Sequence, residues 1–242
     1  MKNLEKLKKH FDKNGFVTLK NFLTKKKTLR LKNDLFNYLL SNKRKFGKRE
    51  RHFAKGSMDI LNSIHHLKWP YIKKIRENKK LKDIIEFLMS EKIKNFGAEV
   101  FAKPPKVGSA VPIHQDNRFW NLDNSKGVTV WLALDKSNKK NGAIFYYQSS
   151  QKLGLIQHKP SYVPGTSQVI KNLNKLKKCK KVTPILNMGD ALIHHCLVAH
   201  GSNRNLSDKS RVGLTVRYIG RSSRINKKEK KIYEKSLKRQ LA

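Results

Sequence analysis

The sequence predicts a mainly β domain with flanking helices. Between residues 93 and 220, short runs of β-branched and aromatic residues are separated by turn-forming sequences such as KPPKVGS, NLDNSKG and DKSNKKNG. The first 92 residues instead place apolar residues at helical spacing. A chain of 242 residues is long enough to bury one core. We therefore expect a single domain over 1–242, with mostly helical support in 1–92, a β core in 93–220 and a basic C-terminal helix in 221–242.

The elements of the N-terminal part follow from spacing and capping. Apolar residues in the first eleven positions share one helical face, and Asn14-Gly15 is a natural helix end. The further elements predicted here are a strand over Phe16–Leu19, a helix from an N-cap at Thr24 to Leu40, and a helix over Leu81–Leu88.

The strands of the core are close together and joined by short turns, which favours an antiparallel sandwich or barrel over a βαβ sheet. A Lys-rich helix is predicted after them, over Asn226–Leu241. The predicted strands are Ala98–Ala102, Val111–His114, Gly127–Leu134, Ala143–Tyr147, Val182–Leu186, Ala191–His194 and Val212–Ile219, and a further apolar strand, Leu197–Ala199, that ends at His200.

The chain is strongly basic, with 55 Lys+Arg against 17 Asp+Glu and a formal net charge of +38. Such a charge is typical of nucleic-acid binding. Lysine supplies most of it, however, whereas arginine is the residue that makes bidentate contacts to phosphate and guanine. The excess is also spread over both flanks of the β core. We therefore expect nucleic acid to be an unlikely partner, and two interpretations stay open: compositional bias, or a surface that faces an anion.

Neither a membrane span nor secretion is expected. No apolar run approaches the roughly 18 residues that a span needs, and the first residues lack the apolar region of a secretory signal. Cys179 and Cys196 are the only cysteines, too few for a disulfide framework. We expect a cytoplasmic protein.

Two polar side chains follow an apolar strand in the sequence PIHQD. His114 and Asp116 are two residues apart, and residues i and i+2 of an extended chain point to the same face. A second apolar run, LVAHGS, brings His200. Two imidazoles and one carboxylate can bind one face of a metal and leave the opposite face open, as in non-heme Fe(II) oxygenases. These three residues predict an iron site.

Arg211 strengthens this prediction. It starts a predicted strand eleven residues after His200, and a buried guanidinium requires an anion, for which a carboxylate has the right shape. A dicarboxylate that chelates iron at one end would place its other carboxylate here. A metal-dependent hydrolase could use the same ligands but would leave Arg211 unexplained. His194 and His195 compete with His200 on spacing alone.

Four longer stretches carry a resemblance: HFDKNGFVTLKNFL, AKPPKVGSAVPIHQDNRFW, VTVWLALDKSNKKNGAIFYYQSSQKLG and MGDALIHHCLVAHGSNRNLSDKSRVGLTVRYIG. Through them, over about residues 10–220, the chain resembles the phytanoyl-CoA dioxygenase family of Fe(II)/2-oxoglutarate-dependent oxygenases. The resemblance implies a double-stranded β-helix (jelly roll, cupin-like) fold, with His114, Asp116 and His200 as the iron ligands.

The same resemblance assigns residues to the cosubstrate. It implies that Arg211 holds the distal carboxylate of 2-oxoglutarate, that Ser202 hydrogen-bonds this carboxylate, and that Trp131 lines the pocket. Phe119 and Trp120 follow the metal-binding sequence directly. They are expected either to overhang the metal as walls of the substrate pocket or to anchor a hydrophobic lid.

The expected function is hydroxylation of a small organic or acyl substrate with Fe(II), 2-oxoglutarate and O2, and with release of succinate and CO2. An anionic substrate would fit the positive charge of the chain. The alternative function is a polyanion- or nucleic-acid-binding protein on an inactive oxygenase-like fold. The basic runs KRKFGKRER, at 43–51, and KKCKK, at 177–181, support that alternative.

Overall fold

The computed structural model describes residues 2–42, 45–46, 51–53, 61–163 and 165–241. Within these residues, helices predominate in the N-terminal part and strands predominate in the remainder. The helices are α1 (Lys2–Asn14), α2 (Lys25–Ser41), α3 (Ile72–Arg76), α4 (Lys79–Met89), α5 (Asn117–Trp120) and α6 (Lys227–Leu241). The first strands are β1 (Phe16–Leu19), β2 (Arg51–Phe53), β3 (Leu61–Ile64), β4 (Ile93–Lys103), β5 (Val111–His114), β6 (Gly127–Ala133) and β7 (Ile144–Tyr147). They are followed by β8 (His158–Val163), β9 (Thr166–Ile170), β10 (Lys181–Val182), β11 (Ala191–His195), β12 (His200–Ser202) and β13 (Arg211–Gly220).

Two antiparallel sheets form the core. The larger sheet has seven strands in the order β1-β11-β6-β13-β4-β3-β2, and the smaller sheet has four in the order β10-β7-β12-β5. The hairpin β8–β9 forms a separate pair beside β5. The sheets share an apolar cluster, in which Trp131 from the larger sheet packs with Tyr146 from the smaller one. The predicted mainly β class with antiparallel strands is confirmed.

The helical layer covers the outer face of the larger sheet. Leu35 of α2 and Leu81 and Ile85 of α4 are fully buried in one apolar cluster with the sheet residues Val130 and Leu214. Burial of each such side chain stabilises the fold by roughly 1.5–3 kcal/mol, so this layer anchors the sheet.

Side-chain caps fix where these helices begin. The Thr24 hydroxyl accepts a hydrogen bond from the backbone N–H of Lys27 at 3.3 Å, which confirms the predicted N-cap. Asn78 caps α4 in the same way through the N–H of Leu81, at 2.9 Å. Both caps satisfy backbone donors that the first helical turn leaves without partners.

Several strands differ from those predicted. The hairpin β8–β9, and β2 and β3, were not anticipated, because their sequences alternate too weakly to stand out from loops. The strand predicted over Val182–Leu186 is restricted to β10 and one isolated bridge at Leu186. The apolar run Leu197–Ala199 is a buried turn between β11 and β12 rather than a strand; apolarity here reflects burial alone.

Candidate active site

Three potential metal ligands converge beside strands β5 and β12 of the smaller sheet. His114 ends β5, His200 begins β12, and the two residues are paired directly across these strands. Asp116 lies at the start of α5, with a helical backbone at φ −57° and ψ −36°. One donor atom from each residue lies within 4.8 Å of the others. The chain therefore brings His114 and Asp116 together by turning into α5, and not by the extended geometry that the sequence suggested.

The two imidazoles are oriented by the backbone. Nδ1 of His114 lies 2.8 Å from the carbonyl oxygen of Pro112, and Nδ1 of His200 lies 3.0 Å from that of Val198. Nδ1 is therefore the protonated nitrogen, because a carbonyl can only accept. Each Nε2 is directed toward Asp116 Oδ1, at 3.7 Å in both cases. Burial lowers the pKa of His200 well below its ordinary value, so this ring is neutral and able to bind a cation.

The second oxygen of Asp116 is held by other side chains. Oδ2 accepts hydrogen bonds from Oγ1 of Thr129 at 2.6 Å and from Nε2 of His194 at 3.0 Å. His194 in turn has its Nδ1 2.9 Å from the hydroxyl of Tyr146, which donates to it. Burial opposes ionisation of Asp116, but the neighbouring histidines, among them the hydrogen-bond donor His194, outweigh it and hold the pKa well below its ordinary value. His194 thus supports the carboxylate and is not one of the three converging ligands.

Gln115, between the two ligands of the HQD sequence, ties them to distant loops. Its side-chain amide donates to the carbonyl oxygens of Gly154 at 2.8 Å and Leu197 at 2.6 Å, and its Oε1 accepts from the N–H of Ile156 at 2.8 Å. Its backbone N–H donates to Nε2 of His158 at 3.1 Å. Gln115 is fully buried, so each of these groups has the partner that burial requires.

Arg211 lies on the inner face of the larger sheet. It is 2% exposed, and among the described residues it has no hydrogen-bond or ion-pair partner. Its guanidinium carbon lies 5.3 Å from the ring centre of Trp131, whose indole Nε1 is also buried without a partner. Burial lowers the pKa of Arg211 to about 10, which still leaves it charged at neutral pH. A buried cation and a buried N–H donor without partners are the groups that an anionic ligand would satisfy.

A second buried amine stands beside Arg211. Lys103 is its direct partner across strands β4 and β13. The Nζ of Lys103 donates to the carbonyl oxygens of Asn203, at 2.7 Å, and Ser109. Burial, together with the nearby charge of Arg211, lowers the pKa of Lys103 to about 6. At neutral pH the amine is therefore mostly uncharged, and its two N–H groups match the two carbonyls.

The remaining predicted residues separate into two groups. Ser202 is buried on β12, and its regular pairing with β7 places it on the same face as His200. The Phe119 ring is half-buried and meets the His114 ring edge-to-face at 5.5 Å, which places it beside this candidate ligand. Trp120 is 4% exposed and packs with Cys196 and neighbouring apolar residues, which favours the anchor interpretation for this residue.

The sequence pattern of one protein family spans most of this chain. The pattern described as Phytanoyl-CoA dioxygenase (PhyH) matches residues 11–213. The chain belongs to the phytanoyl-CoA dioxygenase family. The match includes all three converging ligands and Arg211, and it ends before α6.

Proteins of known name are moderately similar to this chain. A phytanoyl-CoA dioxygenase domain-containing protein 1 homolog of Caenorhabditis briggsae is 27% identical over 172 residues, which are 62% of this chain and 55% of that protein. A probable alpha-ketoglutarate-dependent hypophosphite dioxygenase of Stutzerimonas stutzeri is 26% identical over 156 residues, or 63% and 54% of the two chains. The chain thus spans little more than half the length of these relatives.

Solved structures show the fold that this family member adopts. EctD from S. alaskensis, determined with 2-oxoglutarate and 5-hydroxyectoine, superposes with a TM-score of 0.76 at 19% identity, over 91% of this chain and 77% of EctD. The epimerase SnoN, determined with Fe3+, alpha ketoglutarate and nogalamycin RO, gives a TM-score of 0.68 at 18% identity, over 92% and 85% of the two chains. The predicted double-stranded β-helix fold is confirmed.

Three residues of the site were not anticipated from the sequence of this family member. Thr129, Tyr146 and Gln115 act through hydrogen bonds to groups that are 13, 48 and 82 residues away in the chain. Gln115 was the only one with a visible signal, because it lies between two candidate ligands. The alternation along β6 places Thr129 and Trp131 on one face, but nothing in the sequence identifies which distant side chain that face meets.

Proposed function

We propose that this protein is an Fe(II)- and 2-oxoglutarate-dependent dioxygenase that hydroxylates a small organic or acyl substrate and releases succinate and CO2. One observation carries the proposal: the converging donor atoms of His114, Asp116 and His200 lie in the same interior as the buried, unpartnered Arg211. A metal site alone would fit many reactions. The nearby cation, which forms no ion pair with any described residue, favours a chelating ligand with a second carboxylate.

The side chains suit the proposed groups. Two neutral imidazole nitrogens and one carboxylate oxygen are the donor set of non-heme Fe(II) oxygenases, and they leave the opposite coordination positions open. Nε2 of His114, Nε2 of His200 and Oδ1 of Asp116 would hold the iron. Arg211 would hold the distal carboxylate of 2-oxoglutarate, with Ser202 beside it and Trp131 against its chain. When bound, iron and 2-oxoglutarate activate O2 for insertion into a C–H bond.

The protein's own contribution is orientation and the exclusion of water. Thr129 and His194 hold one oxygen of Asp116, which leaves the other directed toward the two imidazoles. Supporting hydrogen bonds of this kind keep the donor atoms in place while metal and cosubstrate bind and leave. The burial of Arg211 and Trp131 keeps water from competing for the carboxylate, so its attraction to the guanidinium is stronger than in solvent.

We infer an anionic substrate from the distribution of charge around the site. Residues 136–189 contain eleven Lys and no Asp or Glu. This segment includes β7 and β10 of the smaller sheet, to which β5 with His114 and β12 with His200 also belong, and the hairpin β8–β9 beside β5. A surface of one charge raises the local concentration of ligands of the opposite charge.

The test is Fe(II)-dependent formation of succinate from 2-oxoglutarate by the purified protein, with and without candidate substrates. His114→Ala should reduce succinate to the level of the metal-free reaction. His10→Ala, an exposed histidine on α1, is the matched control and should behave as the unmodified protein. Equal succinate formation by His114→Ala and the unmodified protein would exclude the assignment.

The polyanion-binding alternative has less support. A converging set of two imidazoles and one carboxylate is not needed for binding nucleic acid. Of the basic run at 43–51, residues 43–44 and 47–50 lie outside the described residues. Binding to duplex DNA that falls steeply with added salt, together with an absence of 2-oxoglutarate turnover, would favour this alternative.

We further place the protein in the cytoplasm. No helix among the described residues is both long and apolar enough to cross a membrane. Cys179 and Cys196 both carry free thiols, which is typical of proteins from a reducing compartment. Fractionation of cells that express the protein tests this location.

A further inference from the structure

The helix α6 lies beside the metal site, although the family pattern ends at residue 213. It contacts α5, the short helix that follows Asp116, and β8 of the hairpin next to β5. It therefore spans two elements that border the metal ligands. Since the family pattern does not include it, α6 is a feature through which this chain can differ from its relatives.

A row of aromatic rings connects α6 with the candidate metal ligand His114. The His114 ring meets the Phe119 ring edge-to-face at 5.5 Å, and the Phe119 ring meets the Tyr233 ring edge-to-face at 6.0 Å. The Tyr233 hydroxyl lies 3.2 Å from Oγ of Ser167 on β9. Phe119 and Tyr233 are both half-buried, so part of each ring is accessible.

Polar contacts hold α6 in this position. Nη1 of Arg118 donates to Oε2 of Glu229 at 3.0 Å, and Nε of Arg118 donates to Oε1 of Gln168 at 3.3 Å. Nε2 of Gln168 donates to Oγ of Ser236 at 3.1 Å. Glu229, Tyr233 and Ser236 are spaced by four and three residues, so they share one face of the helix.

The attachment of α6 is weak in comparison with that of the other long helices. None of the side chains described in α6 is fully buried, whereas α2 and α4 each bury four. An element with few buried apolar contacts separates from a fold at low cost. The helix is also basic, with seven Lys or Arg against two Glu, and one of these Glu residues already binds Arg118.

We propose that α6 is the outer wall of the substrate pocket and that Tyr233 is a specificity-determining residue, which selects an anionic substrate with an apolar portion. The Phe119 and Tyr233 rings would contact the apolar portion. The lysines of α6 and of the acid-free segment 136–189 would attract the anionic group. This inference rests on the proposed function, because it assigns a substrate class to the same site.

The experiment measures substrate-dependent succinate formation with three probes: a fatty acyl-CoA thioester, an alkyl phosphonate and a zwitterionic quaternary amine. Tyr233→Ala should change the ratio of kcat/KM between the two anionic probes by about tenfold or more, because one ring contact in a pocket discriminates substrates to this extent. Tyr233→Phe keeps the ring and should preserve the ratio. Ile232→Ala, on the same helix with 47% exposure, is the matched control and should leave every rate unchanged.

Two results would overturn this inference. One is an equal change in kcat/KM for all three probes in Tyr233→Ala, which indicates a structural effect alone. The other is preference for the zwitterion over both anions in the unmodified protein. An absence of 2-oxoglutarate turnover by the unmodified protein would instead contradict the proposed function. In that case amide hydrogen exchange tests the role of α6. Slower exchange in α6 of the unmodified protein, but not of Tyr233→Ala, when an anionic probe is added supports this role. An absence of such slowing overturns it.

Discussion

The two ends of the inner face of β13 each carry a buried arginine, and the two arginines have different surroundings. Arg217 faces Glu99, with Nη1 3.4 Å from Oε1, and its guanidinium carbon lies 5.7 Å from the ring centres of both Phe96 and Trp120. Arg211 has the Trp131 ring but no carboxylate among the residues described. The same residue type on the same strand therefore has a carboxylate partner at one end and none among the described residues at the other.

The electrostatics of Glu99 agree with this comparison. Burial opposes ionisation of Glu99, but the charges of Arg217 and His65 outweigh it and lower the pKa to about 2. The pair is thus ionised throughout the neutral range. Removing one member of a buried ion pair leaves an uncompensated charge, whereas removing a cation that has no partner relieves a desolvation penalty. The two arginines should respond to the same substitution in opposite ways.

The largest effect is expected at the paired end. Arg217→Met should lower the free energy of unfolding by about 3–5 kcal/mol, because it leaves Glu99 buried without its main counter-charge. Urea unfolding followed by circular dichroism measures this loss. The double variant Arg217→Met with Glu99→Gln should recover part of the stability. An Arg217→Met protein as stable as the unmodified one would show that the ion pair has no structural role.

At the unpaired end the effect should move from stability to ligand binding. Arg211→Met should weaken binding of 2-oxoglutarate by about 100-fold or more, since the distal carboxylate loses its buried cation. Its free energy of unfolding should be unchanged or higher. Thermal-shift titration with 2-oxoglutarate in the presence of Mn(II) measures the affinity, with the exposed Arg204→Met as control. Unchanged affinity in Arg211→Met would place the cosubstrate elsewhere.

Between the two ends, the support of Asp116 can be tested through metal affinity. His194→Leu removes the hydrogen bond to Oδ2 and should weaken Fe(II) binding by about 10–100-fold, the usual effect of losing such a support. His194→Gln can still donate a hydrogen bond and should recover part of the affinity. Competition with a coloured chelator measures both. If His194→Leu bound iron as tightly as the unmodified protein, Thr129 alone would be sufficient to orient the carboxylate.

The smallest effect is expected from Lys103, the neighbour of Arg211. Its pKa is about 6 in the folded protein and 10.5 ordinarily, so between these values the unfolded chain binds a proton that the folded protein lacks. The free energy of unfolding should therefore rise with pH across this range, by up to about 1.4 kcal/mol per pH unit from this group. Lys103→Met should flatten that slope between pH 7 and 9, and the exposed Lys159→Met should not. An unaltered slope in Lys103→Met would show that the amine stays charged when buried.

The sequence predicts the parts of this site that follow from local order. His114 and Asp116 are close in the chain, and their polar character after an apolar strand is visible without a structure. Arg211 is also visible, because a charge at the start of a buried strand needs an explanation. The pairing of Arg217 with Glu99 is not, since the sequence alone does not give the register of β13 against β4 that brings these two side chains together.

The supporting shell escapes prediction for a related reason. His194 and Asp116 are separated by 78 residues, and Tyr146 and His194 by 48. Such contacts depend on strand order and register, which short-range patterns do not determine. The hairpin β8–β9 was missed because of its local sequence. Strand β8 has exposed residues and Pro160 and lacks the alternation that identifies a strand, yet the hairpin borders β5, which carries His114.

The hydrogen bond from Gln115 to Leu197 has a consequence for the thermodynamics of metal binding. It joins positions 82 residues apart, next to the ligand pair His114 and Asp116 on one side and near His200 on the other. A metal held by these ligands would cross-link the same loop. Closing a loop of this length in a free chain costs about 4–5 kcal/mol of entropy. Because the hydrogen bond of Gln115 already closes this loop, the ion would bind to preformed ligands. Its binding would then add stability without the entropic cost of closing the loop.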